Sequence, residues 1–122
     1  MSRMDDTPSP PPRLTSAMLV SALIRRVQGA GGFAAVLHHG DDHAGAIMLD
    51  CVHRGRRLVM LERGSDSIGR DGWRSLPALA ANDEQAVNDA IAKRRRFDPD
   101  LWLVELDIAE AERFAAEVIG TT

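Results

Sequence analysis

The run Lys93-Arg94-Arg95-Arg96-Phe97-Asp98-Pro99-Asp100-Leu101-Trp102-Leu103-Val104-Glu105-Leu106 constrains the fold more than any other stretch of the chain. Pro99 has no backbone N–H to give a helix and biases Asp98 toward extended geometry, so a helix must stop there and a strand can begin. The four cations before the break suit the negative end of a helix dipole, which gives the cluster a structural reason to exist. Leu101 to Asp107 is apolar on both alternating sets, Trp102/Val104/Leu106 and Leu101/Leu103. Such a strand belongs inside a sheet, covered on both faces, and not at its edge.

The rest of the chain supplies partners for that strand. Thr15 is placed to cap a helix in which Met18, Leu19, Ala22, Leu23 and Val27 recur at helical spacing until Gly29, Gly31 and Gly32 end it. Phe33 to Leu37 reads as a strand, and His38-His39-Gly40-Asp41-Asp42 as the start of a hairpin whose return strand runs from about Ala44 to Val52. A turn at Arg54-Gly55-Arg56 leads into a third strand, Leu58 to Glu62. Gly64 to Gly72 reads as a loop, Trp73 to Leu76 as a short strand ended by Pro77, and Asn82 with Gln85 as a capping box opening a helix with an Ala86, Val87, Ala90, Ile91 stripe. A short amphipathic helix over Ile108 to Val118 completes the pattern.

These elements predict an α+β fold. Its antiparallel sheet has four to five strands, with the two longer helices on one face and a short C-terminal helix. At 122 residues the chain fits one domain, residues 14–122, behind a disordered extension over residues 1–13 that holds four of the six prolines. The second and third strands are apolar on both faces, notably at Met48, Leu58 and Met60. Something must cover that second face, either the C-terminal segment or a second copy of the chain.

Composition narrows the setting. An acidic start at Asp5 and Asp6 followed by Pro8-Ser9-Pro10-Pro11-Pro12 is unlike a secretory leader, and no apolar run approaches the roughly 20 residues of a membrane span. A single cysteine, Cys51, fits a reducing compartment and a buried, inert thiol. The expected location is therefore cytoplasmic, away from membranes. A net charge of −3 argues against a surface built for nucleic acid, although the basic residues, nearly all arginine, leave room for local patches.

Several constellations invite chemistry, and each has a plainer reading. His38-His39-Gly40-Asp41-Asp42-His43 has metal-ligand types, but adjacent histidines on a strand point apart and a solvated turn needs no ion. Gly29-Ala30-Gly31-Gly32 precedes a strand instead of opening a helix, so it is a helix stop and no phosphate cradle. Arg95, Arg96, Asp98, Asp100, Glu105 and Trp73 are the candidate ligand-binding residues, since guanidinium forks bind phosphate and carboxylate and Trp73 offers a ring. The same charges can pair with one another and pin the turn. No nucleophile accompanies a base, so no catalytic residue, metal site or cofactor is assigned.

Three segments, Gly32-Phe33-Ala34-Ala35-Val36-Leu37 through Asp41, Ala44-Gly45-Ala46-Ile47, and Arg95-Arg96-Phe97-Asp98-Pro99-Asp100-Leu101-Trp102, carry a resemblance. In them the chain resembles a family of small bacterial proteins catalogued as a domain of unknown function, DUF1491, over roughly Leu19 to Asp107. That resemblance implies a compact α+β protein and brings no activity or site residue with it. The residues favour a self-associating interaction module, a homodimer meeting through a sheet face or edge. The competing reading is a small-anion or phosphate-binding domain or enzyme built on the Arg94 to Asp100 turn.

Overall fold

The computed structural model describes residues 14–65, 71–76 and 83–120. The elements run α1 (Ser16–Gly29), β1 (Phe33–His38), β2 (Ile47–His53), β3 (Arg56–Ser65), β4 (Asp71–Ser75), α2 (Glu84–Phe97), β5 (Trp102–Asp107) and α3 (Ala111–Gly120). The five strands form one sheet in the order β1-β5-β2-β3-β4. The α+β class, the mostly antiparallel sheet and the short C-terminal helix are as the residue pattern predicts. The expected extension over residues 1–13, Pro77 and Asn82 lie outside the described residues.

The pairing order differs from the expected hairpin. β1 does not pair with β2. It pairs antiparallel with β5, from Phe33↔Asp107 to His38↔Leu103, and β5 pairs parallel with β2, from Ile47↔Trp102 to Val52↔Asp107. The turn after His38 therefore crosses over β5, because the most apolar strand of the chain takes the site with two strand neighbours. β2, β3 and β4 do form an antiparallel meander. Its first turn is tight, with Arg54 at φ 53° and Gly55 at φ 79°, the left-handed conformations that a two-residue hairpin demands.

Both faces of the sheet carry a core. On the first face, α1 through Leu19, Val20, Leu23 and Val27 and α3 through Ala111, Phe114 and Ala115 cover Ile47, Leu49, Cys51, Leu61, Trp102, Val104 and Leu106. Met18, expected in the α1 stripe, is instead exposed, and Val20 takes the inward place. On the second face, Met48, Met60, Leu101 and Leu103 pack together under Ile91 of α2 and beside Leu76. The two longer helices thus lie on opposite faces, and α3 is the companion of α1. Met48 and Met60 are fully buried within one chain by α2, so neither a second copy nor the C-terminal helix is needed to cover them.

Caps set the helix ends. Thr15 accepts a hydrogen bond from Met18 N at the start of α1. Asp83 caps α2, its side chain accepting from Ala86 N at 3.1 Å. At the far end Asp98 closes α2 and begins a turn in which Leu101 N donates to Asp98 O and Asp100 N to the Asp98 carboxylate.

The loop between β1 and β2 is seated on that turn. Asp41 N donates to Asp100 O at 3.0 Å, the Trp102 indole donates to Asp41 O at 2.7 Å, and Trp102 N donates to Ala46 O at 2.7 Å. A Cβ on Gly40 would stand 2.1 Å from Asp100 O and 2.6 Å from the Trp102 ring. Gly40→Ala should therefore lower unfolding stability by roughly 1–3 kcal/mol, the usual cost of forcing atoms into a packed site. Urea unfolding monitored by tryptophan fluorescence measures this, and an unchanged midpoint would show that the two turns are not locked together.

Candidate functional site

The second face gathers most of the side-chain charge that the fold draws inward. Asp50 lies in the central strand β2 at 6% exposure, an unusual place for a carboxylate. Arg57 answers it side-on, with Nε 2.8 Å from Oδ1 and Nη2 3.0 Å from Oδ2, and donates through Nη1 to Glu84 of α2 at 3.0 Å. The fork satisfies both oxygens of Asp50, which is what makes burial of the pair tolerable. Hydrogen bonding to Asp50, then the charges of Asp50 and Glu84, hold the Arg57 pKa above its ordinary value against the opposing effect of burial. Further along β3, Glu62 receives Arg94 of α2 on one oxygen and Arg74 of β4 on the other. Arg57–Glu84 and Arg94–Glu62 together clamp the two ends of α2 to β3.

Glu105 stands opposite Asp50 on the parallel neighbour β5. Burial first, then repulsion from Asp50 and Asp107, pushes its carboxyl above the usual glutamate range, with Arg57 pulling the other way. The residues expected to act together are therefore spread out. Arg95 and Arg96 are exposed on the last turn of α2, Asp98 caps that helix, Asp100 is exposed in the following turn, and Glu105 belongs with Asp50 and Arg57. Trp73 is on the other face altogether, packed against the α1/α3 core with its indole donating to Ala115 O at 2.8 Å. Its contact is internal, not a ring offered to a ligand.

A concavity does exist at the α2 turn, with a volume of about 260 Å³ between Ala46, Glu62, Arg94, Phe97, Asp98 and Leu101. Arg94 is already bonded to Glu62 there, and Asp98 adds a second carboxylate to the walls. Ion pairing across the helix end accounts for these charges. The histidine loop is likewise internally engaged. Asp41 accepts from Ala44 N and His43 N, bonds that hold its carboxyl below the usual aspartate value, and His39 bonds Asp42 at 2.9 Å while its ring meets Trp102 at a 42° tilt with centroids 4.1 Å apart. Among the described residues no three His, Cys, Asp or Glu side chains converge as a metal site.

The cluster at Asp50 and Arg57 escaped the sequence reading. Its signal was there: a single acid inside the apolar run Ile47 to Val52, and an arginine across a two-residue turn from it. Cys51, buried beside Asp50, is pushed up to about 12, chiefly by burial. No helix among the described residues is long and apolar enough to cross a membrane.

The comparisons agree with the geometry in offering a fold without a reaction. The family described as a protein of unknown function (DUF1491) matches residues 14–116. The chain is similar to the solution structure of protein Atu0922 from A. tumefaciens, at 36% identity and TM-score 0.64, over 81% of this chain and 89% of that one. It is also similar to a DUF1491 family protein from Caulobacter crescentus CB15. The crystal structure of that protein has 29% identity and TM-score 0.68 over 84% of this chain and 94% of that one. An NMR structure of a DUF1491 family protein from Caulobacter crescentus CB15 has the same identity and TM-score over 83% and 91%. Among the curated proteins nothing matches.

Three outcomes follow for these buried groups. Arg57→Met should destabilise by about 3–5 kcal/mol because it strands a buried carboxylate, and adding Asp50→Leu should recover much of the loss; a urea double-mutant cycle reads the coupling. Glu105 has a raised folded pKa, so its ionised form weakens the fold above that value and the penalty is relieved as pH falls through it toward the ordinary glutamate pKa. Glu105→Gln should therefore melt higher than the parent at pH 7, and the gap should close near pH 4; a gap that widened on acidification would contradict the assignment. Cys51 should react with a thiol reagent only in denaturant, a point settled by the mass shift after alkylation with and without urea.

Proposed function

The chain belongs to the DUF1491 family of proteins of unknown function, and on that premise we propose that it is a small cytoplasmic interaction module that dimerises through the outer edge of β1. One observation carries this reading. β1, Phe-Ala-Ala-Val-Leu-His, is an edge strand without Lys, Arg, Asp, Glu or Pro, and Phe33, Leu37 and Val36 are 75%, 53% and 39% exposed. Edge strands present unpaired backbone groups and are ordinarily guarded by charge or proline. The opposite edge follows that custom, with Arg74 exposed in β4 and bonded to Glu62. The register of β1 shifts only between Val36 and His38, which leaves Phe33 to Val36 regularly paired.

A second copy is the occupant that this edge fits. Antiparallel pairing of β1 with its own symmetry mate is isologous and brings no like charges opposite one another. It would join the two sheets into one. Of the side chains expected to serve on the second face, Met48 and Met60 are covered beneath Ile91 of α2 while Leu58 stays 47% exposed, and the β1 edge is the better candidate.

The test is light scattering across a dilution series of the full chain, with Val36→Lys and Phe33→Glu as edge variants and Met18→Glu as an exposed control on α1. Dimerisation that weakens on dilution, is lost in both edge variants and persists in the control supports the reading. A parent that is monomeric at every concentration, or a dimer indifferent to both edge charges, overturns it.

A further inference from the structure

The last turn of α2 carries more positive charge than its place in the fold uses. Lys93, Arg94, Arg95 and Arg96 follow one another there, and Arg94 is engaged with Glu62. Among the described residues Lys93, Arg95 and Arg96 have no side-chain ion pair or hydrogen bond, although Asp98 and Asp100 come next in the chain. The Asp98 carboxylate is turned instead to Asp100 N. A helix C-terminus presents about half a negative charge, which a single cation offsets. Further cations at neighbouring helical positions repel one another, so the surplus costs the monomer stability.

Helical spacing sorts these side chains. Lys93, Arg96 and Phe97 stand at i, i+3 and i+4 and share one side of the turn, while Arg95 leaves from the other. All four are exposed, and Phe97, at 81%, is the most exposed of the large apolar side chains described. Its ring belongs to neither core cluster and forms one wall of the cleft of about 260 Å³, with Ala46 and Leu101 as the other apolar walls. That volume is below the usual range of small-molecule sites and suits a single side chain of a partner.

The chain carries a net charge of −3, so this turn is a local reversal of sign, and complementarity selects an acidic partner. A nucleic-acid strand, charged at every residue, would also lie against Asp98 and Asp100. A short peptide can set its carboxylates on the Lys93 and Arg96 side alone.

We propose that the end of α2 docks a short acidic segment of a partner protein, with one apolar side chain of that segment in the cleft against Phe97 and its carboxylates on Lys93 and Arg96. Arginine clusters read acidic motifs in this manner. The proposal does not rest on pairing at the β1 edge. The probe is a display library of random short peptides, selected on the immobilised full chain, with the enriched sequences then measured by fluorescence polarisation. Peptides that combine Asp or Glu with an apolar residue are expected, bound more weakly as salt is raised.

Phe97→Ser should weaken those peptides by about tenfold or more, and Lys93→Gln with Arg96→Gln by a similar factor. Arg25→Gln removes an equal charge from an exposed position of α1 and should leave binding unchanged. Because Phe97 and both cations are exposed, the variants should melt with the parent, which tryptophan fluorescence checks. A selection that enriches no acidic sequence, or binding indifferent to Phe97→Ser and to the loss of Lys93 and Arg96, overturns the proposal. So does tighter binding of single-stranded RNA or of phosphatidylserine vesicles that the same variants abolish.

Discussion

Everything in this fold depends on β5 lying between β1 and β2. It is the last strand made, yet it supplies the pairing surface for the first and the second, antiparallel to one and parallel to the other. A parallel neighbour cannot be reached by a hairpin, so the chain must cross over between β4 and β5, and α2 lies on that crossover. The same pairing explains why the loop after β1 is anchored so heavily. Having to pass over the end of β5, it takes backbone bonds from Asp100 and Trp102 and tolerates nothing larger than hydrogen at Gly40. The segments that carry the family resemblance, around Gly40, Ala44-Gly45-Ala46 and Asp98-Pro99-Asp100-Leu101-Trp102, meet in space at this junction. Their specificity is that of a lock between two turns.

The charged contacts of the second face have a related task. α1 and α3 share an apolar core and bridge to each other through Arg26 and Glu117 at 2.7 Å, but α2 offers the sheet few inward apolar residues, chiefly Val87 and Ile91. A helix held by so narrow a stripe can slide or rotate. Arg57 reaching Glu84 near its start and Glu62 receiving Arg94 near its end define its position along β3. Asp50 is buried in the sheet to aim Arg57. Buried ion pairs contribute little net stability compared with apolar packing, so orientation is the better account of why polar groups occupy this place.

Element types were legible in the sequence because periodicity and caps are local. The Asp-Pro break, the Thr15 cap and the Arg54-Gly55 turn all depend on residues a few positions apart, and their consequences appear where expected. Pairing order was less legible. The polar run after His38 has every local mark of a hairpin, and only competition for the apolar β5 overrides it, a comparison between strands some seventy residues apart. The second helix went to the opposite face for the same reason: Met48 and Met60 needed a cover, and the sequence does not say which element provides it. Trp73 misled because neighbouring arginine and glycines suggest exposure, whereas its strand pairs at Trp73↔Arg63 and turns the ring inward toward α3.

Helix coverage of the sheet is unequal, and the inequality points outward. Two helices close the first face. On the second, α2 is fixed over β3 by its end contacts and covers Met48 and Met60, while the strip of that face nearest β1 carries Phe33 and Ala35, both exposed, beside Glu105 and Asp107. Ring and methyl groups left in water at the rim of a sheet contribute nothing to the monomer, and they adjoin the one edge that has no charge to discourage pairing. Phe33 stands opposite Asp107, and Ala35 opposite the same Glu105 whose ionisation the fold resists. Any strand that extends the sheet at β1 would remove more water from that glutamate and raise its proton affinity further. If a second copy pairs at that edge as proposed, its association should be favoured as the carboxyl takes up its proton.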